Sequence, residues 1–295
     1  MATRNMRLLI VDDDHTLRRV LTLFLKTRYD IEITTAKDGK DAMKIISEAD
    51  FDLVLLDLRM PSGTEGFDVL TYIKNIKPQT EVIMISAYGD IRKTNEAYKL
   101  GARRFIPKED DFNELIEHEI NEFLSTAHLI ADRELLIRGK YEEVNREKNR
   151  NKKGKALEEL LSALFASVDG FTCKSNVRTT TQEIDVVITN SAEHPSWREG
   201  GRLILVECKN WSKKTDRKEF DAFCRKISRR GGECIYGYFV SLSGFTKDFS
   251  VERLIENSNK RWKIIEIDKS KLKQLIESNE RGKLLREFAD NTAMK

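Results

Sequence analysis

The apolar residues of this chain follow two regimes in turn. In the first, short β-branched runs, RLLIV, IEITTA, FDLVLLD, EVIMIS and ARRFIP, alternate with amphipathic stretches of helical period. Five strands separated by helices predict a parallel sheet covered on both faces, with ligands bound beyond the carboxyl ends of the strands. A proline-free helical pattern then runs from Asp111 to about Asn149. Within it Ile116, Phe123, Ile130, Ile137 and Val144 recur every seven residues, accompanied by Ile120, Ala127 and Tyr141. A seam of that period predicts a left-handed coiled coil between two chains, interrupted by Arg133, Glu134 and Lys140, or equally one helix packed on its own receiver unit, as its first turns are expected to be. NREKNRNKKGK reads as a polar, basic hinge. The second regime opens with GKALEELLSALF, where Leu157, Leu160, Leu161, Leu164 and Phe165 form one apolar helix face. Strands are predicted at QEIDVVIT and LILVECKNW, a helix from about Asp216 to Arg229, a strand at KIIEID and one closing helix over KLKQLIESNERGKLLREFAD. The pattern divides the chain into 1–124, a coiled-coil linker over 125–154, and 155–295.

Polar residues gather at the ends of the first five strands. Asp12 and Asp13 follow the first, Asp57 ends the third, Ser86 ends the fourth and Lys108 follows the fifth. Three carboxylates in one place repel unless a cation holds them, and a lysine opposite can pair with an added phosphoryl group. These residues resemble the response-regulator receiver domain, a CheY-like, flavodoxin-like fold, from about Arg7 to Leu124. The resemblance implies that a sensor histidine kinase phosphorylates Asp57 and that Asp12, Asp13 and Asp57 bind Mg²⁺. It further implies that Ser86 hydrogen-bonds the phosphoryl group, that Lys108 pairs with it, and that Phe105 is the aromatic switch. Two positions depart from the family pattern: Lys108 is followed by Glu109 instead of proline, and the MPSGTEGF loop is one residue longer than usual.

In the second regime LILVECKNW ends an apolar run with Glu207 and Lys209. Side chains alternate faces along a strand, so these two share one face and Cys208 takes the other. If this strand pairs antiparallel with QEIDVVIT, Asp185 and Glu207 converge on one divalent cation with Lys209 beside it. Carboxylates on strongly apolar strands are costly without a metal or a partner. Mg²⁺ is held by one or two carboxylates together with water and substrate phosphate oxygens. Lys209 is placed to orient the attacking water or balance the developing charge. Asp185 followed by Glu207-x-Lys209 resembles the PD-(D/E)xK restriction-endonuclease-like superfamily, and the elements after it resemble its Mrr-type branch, over about Lys155 to Ser270. That resemblance implies an α/β domain with a mixed sheet, a Mg²⁺ site with Mn²⁺ as the alternative, and an acidic residue from the first helix. Glu158 is the match and Glu159 the runner-up, while Glu183, two residues before Asp185 on the same face, could also reach the metal.

Composition adds the setting. There is neither an N-terminal apolar h-region nor a membrane-length apolar run, so a cytoplasmic protein with no membrane partner is expected. Four cysteines without CxxC spacing, Cys173, Cys208, Cys224 and Cys234, read as reduced thiols. The net charge of +3 conceals an acidic first part and a basic remainder. Residues 1–124 carry 18 Lys and Arg against 23 Asp and Glu, and residues 125–295 carry 34 against 26. The basic runs REKNRNKKGK, KNWSKKTDRK and RKISRR suit a polyphosphate backbone. Two functions are therefore expected. The first is a phosphorylation-controlled, Mg²⁺-dependent endonuclease acting on nucleic acid, double-stranded DNA foremost, as a homodimer. The second is a nucleic-acid-binding module whose nuclease fold does not cut.

Overall fold

The computed structural model describes residues 5–60, 66–87, 91–109, 111–178, 183–199 and 201–293. The added residue expected in the MPSGTEGF loop falls within 61–65, outside the described residues. The chain forms two compact units, Met1–Thr126 and Ala127–Lys295.

The first unit alternates β1 (Met6–Val11), α1 (His15–Lys26), β2 (Ile31–Ala36), α2 (Gly39–Glu48), β3 (Leu53–Asp57), α3 (Gly66–Ile76), β4 (Glu81–Ser86), α4 (Ile91–Lys99) and β5 (Arg104–Pro107), and α5 (Phe112–Arg146) begins in it. The strand order β2-β1-β3-β4-β5 with parallel pairing throughout is the flavodoxin-like arrangement. Every residue of β3 is buried, as a strand packed on both faces requires. One core lies on each side of the sheet. Leu9, Val54, Leu56 and Met84 feed one, and Leu8, Ile10, Leu55 and Ile85 the other. The helix starts follow from local chemistry: Asp14 caps α1 by accepting from the backbone N–H groups of Thr16 and Leu17, and Asp38 caps α2 by accepting from Asp41. Gly66 is required where α3 begins, because a Cβ there would meet the Asp57 carbonyl oxygen at 2.4 Å.

The second unit holds α6 (Arg150–Ala166), β6 (Phe171–Arg178), β7 (Glu183–Asn190), α7 (Pro195–Arg198), β8 (Leu203–Lys209), α8 (Arg217–Ser228), β9 (Cys234–Ser241), α9 (Lys247–Asn259), β10 (Lys263–Asp268), α10 (Lys269–Glu277) and α11 (Arg281–Ala293). Its sheet order is β10-β9-β8-β7-β6; β6, β7 and β8 pair antiparallel, while β8, β9 and β10 run parallel. This is the mixed sheet expected for a restriction-endonuclease-like domain. The apolar face of α6 packs on one side, and Phe220, Phe223, Ile227 and Phe249 from α8 and α9 cover the other. Gly237 in β9 sets the approach of α8: a Cβ would lie 2.6 Å from Ile227 Cδ1 and 2.9 Å from Phe223.

Three expectations are corrected. The closing helix is two helices, α10 and α11, because the chain turns at Ser278, whose hydroxyl accepts from the backbone N–H of Glu280. The basic hinge shrinks to residues 147–149, because Asn149 caps α6 by accepting from Asn151 and Lys152 and the helix starts at once. The heptad seam is used within the chain. Phe112, Ile116 and Ile120 enter a core of the first unit, whereas Ile137 and Val144 are buried in the core of the second with Tyr141 packed beside them.

Two of the three polar residues that appeared to interrupt the seam, Glu134 and Lys140, are fasteners. Lys140 donates to Glu159 on α6 at 2.8 Å, and Glu134 accepts a two-pronged pair from Arg281 on α11, with Nη2 to Oε2 at 2.6 Å. Arg281 is buried and also donates to the Leu275 and Ile276 carbonyls. Among the described residues no helix is long and apolar enough to cross a membrane.

The Arg281 hydrogen bond, together with its charge, holds the Glu134 carboxyl below its ordinary value of 4.5. A lowered folded value means that the pair stabilises the second unit above about pH 4.5 and that this contribution fades as pH falls through the folded value. Glu134→Ala, which leaves a buried guanidinium without its partner, should cost on the order of 3 kcal/mol at pH 7. Urea unfolding from pH 7 to pH 3 should show the gap to wild type closing at the acidic end; a gap constant with pH would contradict the ion-pair account.

Candidate functional sites

In the first unit the carboxyl ends of β1 and β3 bring Asp12 and Asp57 together under Lys108. The Lys108 ammonium lies 2.7 Å from Asp12 Oδ2 and 2.7 Å from Asp57 Oδ1. Asp12 is 0% exposed and Asp57 4%. The second oxygen of each is also engaged: Asp12 Oδ1 accepts from the backbone N–H of Asp14 at 2.8 Å, and Asp57 Oδ2 from that of Arg59 at 3.0 Å. Burial pushes the Asp57 carboxyl upward, and the hydrogen bond from Lys108 only partly offsets it. Burial alone would lower Lys108, yet its hydrogen bonds to Asp12 and Asp57 carry it upward. Asp13 is exposed at the mouth, buried Ser86 ends β4, and the Lys108 backbone N–H donates to the Ser86 carbonyl at 2.8 Å. Phe105 is half-buried in β5 against the core. One lysine thus faces two buried carboxylates, with exposed Asp13 next in the chain, a donor set that suits a hard divalent cation with water or phosphate oxygens completing its coordination.

In the second unit β7 and β8 pair antiparallel with Val186 opposite Val206. One step further, that register sets Asp185 opposite Glu207 on the same face. Asp185 Oδ2 accepts from the Cys208 backbone N–H at 2.7 Å. Glu207, 6% exposed, has each oxygen on a different lysine: Oε1 is 3.0 Å from Lys209 Nζ and Oε2 is 2.6 Å from Lys226 Nζ. Lys209 also pairs with Glu219 at 3.2 Å. Burial, and then the charge of Glu207, raise the Asp185 carboxyl. The charges of Glu207, Glu219 and Asp185 raise Lys209 against its burial.

Glu158 on α6 joins this group. Burial pushes its carboxyl up to about 7, helped by the nearby charges of Asp185, Glu183, Glu159 and Glu207. A carboxyl so crowded by others is where a divalent cation would relieve repulsion, and the donor set fits Mg²⁺ or Mn²⁺. The runner-up Glu159 is held instead by Lys140, and exposed Glu183 pairs with Arg178 at 3.4 Å. Among the described residues the trio whose ligand atoms all lie within 4.8 Å of one another is elsewhere, His118, Glu119 and Glu122 on α5. There buried Glu119 is already taken by Arg104 at 2.6 Å, so that group reads as an ion-paired cluster. The wider spacing of the two strand-end sites reflects the lysines standing among their carboxylates.

Two participants escaped the sequence reading, Lys226 and Glu219. Both sit on α8, seven residues apart and beside the buried stripe of Phe220, Phe223 and Ile227. That spacing was visible, but only the close approach allowed by Gly237 aims these side chains at the end of β8. Lys226 had been counted with the basic run RKISRR as a phosphate contact; in the structure it is committed to Glu207.

Two family models match the chain: "Response regulator receiver domain" over residues 8–119 and "Restriction endonuclease" over residues 150–276. Among curated proteins, the uncharacterized transcriptional regulatory protein YhcZ of Bacillus subtilis is 30% identical over 196 residues, covering 61% of this chain and 90% of that protein. Sporulation initiation phosphotransferase F of Bacillus subtilis is 35% identical over 112 residues, 38% of this chain and 88% of that protein. Response regulator protein PilR of Pseudomonas aeruginosa is 38% identical over 109 residues, 37% of this chain but only 24% of that protein. The solved structure of response regulator protein TrrA from Thermotoga maritima in complex with Mg(2+)-BeF is 30% identical and covers 40% of this chain and 98% of that one, with a TM-score of 0.36.

Proposed function

The chain belongs to the response-regulator family, with a receiver domain joined to a restriction-endonuclease domain of the Mrr type, and on that premise we propose a cytoplasmic, Mg²⁺-dependent endonuclease controlled by phosphorylation of Asp57. Its substrate is nucleic acid, DNA foremost. The observation that carries the nuclease reading is the buried Glu207 carboxylate, clasped by Lys209 and Lys226 beside Asp185 and Glu158. A cation bound by Asp185 and Glu207 would acidify a water and draw charge from the phosphoryl oxygens. Lys209 holds an ammonium next to the place where negative charge develops as a phosphodiester is attacked, and Glu219 fixes the orientation of that ammonium. Lys226 holds the second oxygen of Glu207 and fixes the direction of its carboxylate.

In the receiver domain an Asp57 oxygen forms the new bond to phosphorus while the phosphorus–nitrogen bond of the kinase phosphohistidine breaks. Lys108, already within hydrogen-bond distance of Asp57, pairs with the phosphoryl group, and Ser86 hydrogen-bonds it. The homodimer is proposed to form along α5, where Leu129 is 67% exposed and Leu136, seven residues on, 51%, with Ile130 and Leu135 exposed between them.

Lys209→Ala removes one charge-stabilising donor and no metal carboxylate, so Mg²⁺-dependent plasmid cleavage should fall by about 10²–10³-fold. Binding of the same DNA in EDTA should stay within a few fold. Wild-type protein that binds nucleic acid but leaves it intact at every Mg²⁺ concentration would favour the non-cleaving alternative. A small phosphodonor with Mg²⁺ should add one phosphate to wild type and none to Asp57→Ala by intact-mass measurement; an undiminished mass shift in the variant would place the acceptor elsewhere. Leu129→Glu combined with Leu136→Glu should leave the phosphorylated protein monomeric in light scattering, and a dimer that survives both changes would remove α5 from the interface.

A further inference from the structure

A cavity of about 770 Å³ opens beside the nuclease site, lined by the ends of five segments of the second unit. Lys148, Arg150 and Lys153 come from the start of α6 and the turn before it, Trp211 and Lys213 from the loop after β8, and Lys269 from the first turn of α10. Five cations face one lining carboxylate, Glu147, which already accepts from the Asn149 backbone N–H at 2.6 Å. None of the five forms an ion pair with a described residue, whereas Lys209 and Lys226 next door are fully engaged. Uncompensated like charges around one cavity repel, and an anionic ligand would relieve them.

The cavity also offers an aromatic surface. Half-buried Trp211 stands among cations, with Lys209 Nζ at 5.3 Å, Lys213 Nζ at 5.4 Å and Arg150 Cζ at 5.7 Å from the ring centroid. It lies two residues after Lys209, so its ring joins the cavity to the Asp185–Glu207 centre.

The loop bearing Trp211 is tied on both sides. Asn210 Nδ2 donates to the Arg150 carbonyl at 2.6 Å. Ser243 Oγ donates to the Lys213 carbonyl at 2.6 Å, and fully buried Thr215 donates to fully buried Ser241 at 2.8 Å. An aromatic ring fixed by hydrogen bonds and surrounded by cations is the chemistry of a stacking platform for a nucleobase with its phosphates on the rim.

We propose that this cavity takes one unpaired nucleotide of the substrate strand, its base against Trp211 and its flanking phosphates against Lys148, Arg150, Lys153, Lys213 and Lys269. The inference rests on the nucleic-acid reading above and narrows it. A base paired and stacked within a continuous duplex cannot present its face to Trp211, so the nuclease prefers strands with an unpaired nucleotide next to the scissile bond.

The test uses the full-length protein in EDTA with a fluorescein-labelled 12-nucleotide oligothymidylate, the matching 12-base-pair duplex, thymidine 5′-monophosphate and inorganic tripolyphosphate. Wild type should bind the single strand more tightly than the duplex. Trp211→Ala should weaken single-strand binding about 5- to 150-fold, the equivalent of about 1–3 kcal/mol of base–aromatic stacking. Trp211→Phe, which keeps a ring, should recover most of the loss. Lys153→Glu and Lys269→Glu should weaken binding and flatten its salt dependence.

Equal affinity of Trp211→Ala and wild type for the oligonucleotide would overturn the proposal. Competition by tripolyphosphate as effective as that of unlabelled oligonucleotide would reduce the cavity to a phosphate patch, and mononucleotide binding as tight as oligonucleotide binding would make it an effector site; either result also overturns it. Mg²⁺-dependent cleavage of both substrates by wild type, measured in parallel, separates the two readings. Cleavage without Trp211-dependent binding sinks the cavity alone, and Trp211-dependent binding without any cleavage sinks the nuclease alone.

Discussion

The structure depends on how buried carboxylates at the ends of apolar strands are given partners. Asp12, Asp57 and Glu207 are almost wholly withdrawn from water, each at the end of a run of Val, Leu and Ile. An isolated carboxylate there would be neutralised by protonation or would unfold its strand. In each unit lysine supplies the compensation, and in each unit it is incomplete. One Lys108 serves two buried aspartates, while Lys209 and Lys226 converge on one glutamate and leave Asp185 and Glu158 with raised carboxyls. The donor set left over in each unit suits a divalent cation.

Geometry follows from the same constraint. In the receiver unit the lysine reaches across from the end of β5 because parallel strands all present their carboxyl ends on one side. In the nuclease unit Asp185 and Glu207 meet because their strands are antiparallel and in register, while Lys226 arrives from a helix that lies close only because β9 has a glycine beneath it. A bulkier residue at Gly237 would press on Ile227 and Phe223, which share α8 with Lys226 and Glu219.

Helix α5 shows the ambiguity of an apolar period. A seven-residue stripe buries equally well against another chain or against the core of its own domain, and period alone does not distinguish them. Here Ile116 and Ile120 serve one core and Ile137 and Val144 another, with the Glu134–Arg281 and Lys140–Glu159 pairs fastening the latter half. Lys140 thereby grips the residue next to Glu158, so α5 touches the helix that carries that crowded carboxyl. What remains for a partner chain is the stretch around Leu129 and Leu136, outside both cores.

Local pattern was enough for the architecture of the receiver domain, the strand ends that carry its five polar residues, the shared face of Glu207 and Lys209, and the meeting of Asp185 with Glu207 once their strands pair antiparallel. These follow from local rules: the period of apolar positions, the alternation of a strand, and the placement of polar residues at strand ends. The sequence also ranked Glu158 ahead of Glu159, although neighbouring helix positions point only about 100° apart. Tertiary structure decided the rest. It turned Glu159 to Lys140, brought Lys226 and Glu219 to the site, divided the heptad stripe between two cores and split the closing helix at Ser278. It also gathered Lys148, Arg150, Lys153, Trp211, Lys213 and Lys269 into one cavity, from segments far apart along the chain. Period and alternation state which way a side chain faces on its own element; which element lies opposite is set by packing over distances that local pattern does not encode.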